Sequence, residues 1–126
     1  MADKGKKELG RRGEELACGH LQSLGHTVLE RNWQCGHLEV DIISRAADGL
    51  HFTEVKSLVA PVSDAPEHKV GTVKRNRLCA AALRYLGTHP SGSEEVFFDI
   101  VSVVFDGGSV RIEYFPQAWI PFYYGR

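Results

Sequence analysis

The stretch LEVDIISRAADGLHFTEVK, Leu38 to Lys56, constrains the fold more than any other part of the chain. Two runs of alternating apolar and polar residues flank Asp48-Gly49. An Asp-Gly pair between such runs signals a hairpin, because both residues tolerate positive φ. The pattern predicts strands over about 37–45 and 50–58. Alternate residues of a strand share a face. Glu39, Asp41 and Ile43 therefore lie together on the first strand, and Phe52, Glu54, Lys56 and Leu58 on the second. A two-residue turn at Asp48-Gly49 sets Asp41 opposite Lys56 and Ile43 opposite Glu54. Asp41 and Glu54 are then diagonal neighbours about 7–8 Å apart. A four-residue loop sets Asp41 directly opposite Glu54. Either even loop gathers the polar side chains on one face, whereas an odd loop or a bulge separates them.

A solvated face of a half-exposed hairpin would account for the alternation alone. Two features weigh against so simple a reading. Ile43, Phe52 and Leu58 share the face, and the acids fall mid-strand, where a sheet is best covered. Acids among apolar neighbours are costly unless a cation or hydrogen bonds compensate them. Lys56 compensates one. A divalent metal would compensate two, and carboxylate oxygens suit Mg²⁺ or Mn²⁺.

Around the hairpin the chain reads αβββαββ, a mixed sheet flanked by helices. Residues 1–8 read as a flexible basic arm ahead of a single domain, 9–126. Leu9, Leu16, Ala17, His20, Leu21 and Leu24 form one stripe of a helix over 9–24, with Gly25 at its end. On that helix Glu14 borders the apolar stripe and leans toward the sheet, whereas Glu15 lies on the polar side. A first-turn acid favourable to the helix dipole is the plainer account of Glu14. A strand follows over 26–33. Residues 60–71 carry two prolines and read as a loop. Thr72 is placed to cap a second helix over about 73–86, which Gly87 and Pro90 end. Lys74 sits on the apolar stripe of that helix, where a lysine leans inward or snorkels to water. Two more strands surround Asp106-Gly107-Gly108. The aromatic end, with Trp119, Phe122, Tyr123 and Tyr124, closes over the core or forms an interface.

A chain of 126 residues supports one core, and its 43% hydrophobic and 25% charged composition is that of a globular protein. The net charge of −1 does not advertise a polyanion partner, but basic residues cluster at Lys4–Arg12 and at Lys69, Lys74, Arg75, Arg77 and Arg84. Solvated faces account for such clusters as well. Cys18, Cys35 and Cys79 form no close pair, which argues against a disulfide framework or structural zinc. Without an apolar run long enough to span a bilayer, or a signal-like start, the expectation is a cytoplasmic protein with no membrane partner.

Asp41 followed by Glu54-Val55-Lys56 resembles the PD-(D/E)XK nuclease signature. The elements GRRGEELA (10–17), RN (31–32), LEVDII (38–43), FTEVK (52–56), VKRNRLCAAALRYL (73–86) and FFDIVSV (97–103) resemble, in order, the YraN-like family of bacterial endonuclease-like proteins. Leu38 stands where that family carries glycine, and Thr53 where it carries valine. The resemblance implies an αβββαβ restriction-endonuclease-like core with a C-terminal strand. It further implies that Asp41, Glu54 and the Val55 carbonyl hold Mg²⁺ or Mn²⁺. Lys56 would activate water or stabilise phosphate charge, and Glu14 would complete the site. Glu39 would tune the site from outside or face solvent. Lys69, Lys74 and Arg77 would meet a nucleic-acid backbone, in the first instance DNA. The expectation is a metal-dependent nuclease for DNA, branched DNA included. The alternative is a non-catalytic nucleic-acid-binding or interaction module on the same fold, and a scaffold with salt-bridged acids is a third reading. Junction resolvases cut symmetrically, so a homodimer is the matching assembly.

Overall fold

A computed structural model describes residues 2–62, 71–89 and 94–119 of the chain. The elements are α1 (Ala2–Ser23), β1 (Thr27–Cys35), β2 (Leu38–Ala46), β3 (Gly49–Val59), α2 (Thr72–Thr88), β4 (Val96–Asp106) and β5 (Ser109–Trp119). The strands form one sheet in the order β1-β2-β3-β4-β5. Only β3 and β4 pair in parallel; the other neighbours are antiparallel. A parallel pair needs a long crossover, and α2 supplies it. The result is a mixed α/β fold with a restriction-endonuclease-like αβββαβ core and a further strand.

Each helix buries an apolar stripe on its own cluster of sheet residues. Ala17, Cys18 and Leu21 of α1 pack with Ile42, Val101 and Val103. Leu78, Ala81, Ala82 and Tyr85 of α2 pack with Ile43, Phe52, Phe98 and Ile100. Both faces of β4 are thus covered, which is why its sequence is an almost unbroken apolar run. Trp119 belongs to this packing: it is buried and stacks on Phe98 with 4.5 Å between ring centroids. Phe122, Tyr123 and Tyr124 lie outside the described residues.

Four local expectations need correction. The first helix does not begin at residue 9. It runs back to Ala2, so residues 2–8 continue α1 rather than form an arm. This segment carries Ala2, three lysines and Glu8, all good helix formers, and Arg11 pairs with Glu8 and with Glu15, one turn away on either side. The hairpin closes one residue earlier than Asp48-Gly49 suggests. Ala46 pairs with Gly49, around Ala47 and Asp48. Gly49 has φ +144°, and a Cβ there would collide with the Glu95 carbonyl, whose oxygen accepts a 2.9 Å hydrogen bond from Leu50 N–H. The glycine is needed for that close approach to the start of β4. Thr72 is not the cap of α2: Gly71 holds the cap position, with no side-chain hydrogen bond. Gly87 does not end the helix either, because Thr88 Oγ1 and His89 N–H bond the carbonyls of its last turn.

Candidate active site

The register pairs Ile42 with Thr53 and Ile43 with Phe52. Asp41 therefore stands one step beyond the last paired residues, across from Glu54. This is the register of the longer-loop alternative, and it brings the two acids together directly. Asp41 leaves the ladder there, and its Oδ2 accepts a 2.8 Å hydrogen bond from Val55 N–H. Both carboxyls are buried, at 8% and 5% exposure. Burial pushes the Asp41 carboxyl up, and the Glu54 charge pushes it further. The Val55 hydrogen bond partly offsets this, Glu14 and Glu39 add smaller repulsions, and the pKa rises to about 8.

Two lysines reach Glu54. Lys56 Nζ lies 3.6 Å and Lys74 Nζ 3.5 Å from its Oε2. Lys56 shares the face of β3 with Glu54, and Lys74 arrives from the first turns of α2. Glu14 is half-buried and lines a cleft of about 510 Å³ together with Val55 and Lys56, whereas Glu15 is exposed. The placement of Glu14 depends on Gly13, because a Cβ at residue 13 would overlap Ser57 Oγ on β3. Glu39 is exposed and accepts a 3.1 Å hydrogen bond from Gln34 Nε2. With His37, Lys74, Arg77 and Leu78 it lines a smaller pocket of about 190 Å³. Lys69 lies outside the described residues.

The fold thus brings together Asp41, Glu54, Val55, Lys56 and Lys74, with Glu14 and Glu39 at the flanks. Among the described residues, no group of three or more His, Cys, Asp or Glu side chains is close enough to share an ion. The donor set is therefore two adjacent carboxylates. That set fits Mg²⁺ or Mn²⁺, which are held by one or two protein carboxylates and complete their shell with water and phosphate oxygens. The high proton affinity of Asp41 has the same cause that favours a cation: negative charge confined where water is scarce.

A second polar cluster escapes the sequence pattern. His51 Nδ1 lies 2.5 Å from Asp99 Oδ2, and His51 Nε2 lies 2.7 Å from Asp48 Oδ1. Tyr114 O–H donates to Asp99 Oδ2 at 2.5 Å, and Gln117 N–H donates to Oδ1 at 2.8 Å. His51 is an odd number of residues from Glu54 and so occupies the other face of β3. An aspartate inside the apolar run FFDIVSV is the one sequence signal for this network.

Residues 13–103 match the model of a family described as Uncharacterised protein family UPF0102. A UPF0102 protein of Anaeromyxobacter dehalogenans is 37% identical over 115 residues, 91% of this chain and 86% of the relative. One from Myxococcus xanthus is 34% identical, covering 90% of each chain. One from Parafrankia is 40% identical, covering 86% of this chain and 92% of the relative. No described helix is long and apolar enough to cross a membrane.

Proposed function

We propose that this chain, which belongs to the UPF0102 (YraN) family, is a metal-dependent nuclease that hydrolyses phosphodiester bonds in DNA. One observation carries the reading: Asp41 and Glu54 are buried side by side, with Lys56 against Glu54. Two buried carboxyls placed together are costly unless a cation compensates them.

Asp41 and Glu54 would hold Mg²⁺ or Mn²⁺, with Val55 N–H fixing one Asp41 oxygen. When bound, such an ion supplies positive charge to the phosphoryl oxygens and makes a coordinated water more acidic. To hold such an ion Asp41 would have to be in its carboxylate form, so binding would be coupled to loss of its proton. Lys56 then turns from Glu54 to the phosphate or the attacking water, where its ammonium stabilises the charge that grows in the transition state. Lys74 and Arg77 hold the nucleic-acid backbone by charge.

The test is cleavage of labelled linear, branched and single-stranded DNA with Mg²⁺ or Mn²⁺. Wild type is expected to cut at least one of them, and Glu54→Gln and Lys56→Ala to lose cutting while retaining binding. No cleavage of any substrate, or equal cleavage by the variants, would refute the reading. A second reading, a nucleic-acid-binding module without catalysis, draws on the pairing of both lysines with Glu54, which neutralises that acid internally. DNA binding that never yields a metal-dependent cut would favour it.

A further inference from the structure

The cleft beside the acids bears on the form of the substrate, and this step rests on the nuclease reading. At about 510 Å³ it falls within the size range of small-molecule sites. Its walls are largely apolar, from Leu9 of α1 and from Val55, Leu58 and Val59 of β3, with Lys6 and Lys56 adding positive charge and Glu14 a carboxylate. It adjoins the site at Asp41: Val55 of its wall donates its N–H to Asp41, and Glu14 of its wall lies near enough to repel the Asp41 charge. The smaller pocket, with His37 and Arg77, joins Glu54 through Lys74. A strand passing Glu54 therefore meets a polar, cationic pocket and an apolar recess.

Duplex DNA presents phosphates and sugars to a protein surface and keeps its bases stacked inside. It has nothing to bury in an aliphatic recess next to the scissile phosphate. A splayed nucleotide does: its base can leave water among Leu9, Val55, Leu58 and Val59 while its phosphate stays near Lys56. Gly10 lines the recess, and an added Cβ there meets nothing within 4 Å. We infer that the substrate carries an unpaired nucleotide beside the scissile phosphate, and that this cleft receives its base.

The test is fluorescence anisotropy of the full chain in EDTA with a labelled single strand, the same strand carrying abasic positions, and its duplex. Gly10→Leu fills the cleft from an open helical position and improves helix propensity, so the fold is retained. Wild type should bind the single strand at least about tenfold more tightly than either the abasic strand or the duplex. Gly10→Leu should lose that preference and keep its duplex affinity. Val59→Glu, at a position 61% exposed, places a repelling charge on the cleft and serves if Gly10→Leu melts early. Equal or tighter binding of duplex by wild type, no single-strand binding, or unchanged single-strand affinity in both variants would overturn the inference. No metal or cleavage enters these readouts, so a failed nuclease assay and a failed cleft are told apart.

Discussion

Asp41 keeps its proton up to about pH 8 in the metal-free protein, because burial and the Glu54 charge oppose ionisation. In the unfolded chain the same carboxyl ionises near 3.8. Between those values the unfolded state binds fewer protons than the folded state, so stability is full below about pH 4 and declines as pH rises toward 8. Asp41→Asn should remove this decline and be more stable than wild type at pH 8 in EDTA, by an amount on the order of a few kcal/mol. Urea melts of both proteins from about pH 5 to 8 check it, and parallel stability profiles would show that Asp41 is not strained. His51 adds a slope that the variant retains. Burial pulls its imidazole down, but the hydrogen bonds with Asp99 and Asp48 outweigh this and raise its pKa above 6.5. Stability from that pairing is fully present below 6.5 and is lost as pH rises through the folded value. Asp41, Glu54 and Lys56 were legible as residues because alternation puts them on one face for either even loop, and the loop is even.

At the scale of the elements, α1 is held to β3 at Gly13 and Ser57. Gly13→Val should destabilise by about 1–3 kcal/mol through overpacking. Adding Ser57→Gly should recover part of that loss, which a double-mutant cycle of denaturant melts measures. On the same side of the sheet, Asp99 ties β4 to His51 of β3 and Tyr114 of β5. Asp99→Ala should cost about 3–5 kcal/mol, because it removes the shared partner of His51 Nδ1, the Tyr114 hydroxyl and Gln117 N–H. A loss under 1 kcal/mol would mean the network is solvated. The order of elements could be read from apolar periodicity and turn residues. The hairpin register could not, because Gly49 answers to the Glu95 carbonyl on β4 rather than to the turn. The start of α1 was hidden because a lysine-rich segment reads equally as an arm or as a helix. The His51 network was hidden because its members meet only after three strands have paired.

At the scale of the whole molecule, a nearly neutral chain gathers into one locality its buried acids, lysines from two elements, a polar pocket and an apolar cleft. The sequence could name most of these residues, but it could not show the cleft, since α1 and β3 create it only by packing together. If Lys74 and Arg77 hold a nucleic-acid backbone, replacing each by Ala should flatten the dependence of log affinity on log salt by about 0.7–0.9 per residue. A salt titration of DNA binding reads this directly, and an unchanged slope would place the backbone elsewhere. The proposed chemistry requires that the Asp41–Glu54 pair hold a metal. The most direct measurement is calorimetry of Mn²⁺ binding to wild type and to Asp41→Ala, in two buffers of different ionisation enthalpy near pH 7. Binding to wild type should saturate and release the Asp41 proton, and Asp41→Ala should show no such binding. Identical binding to both proteins, or none to wild type at millimolar Mn²⁺, would contradict it.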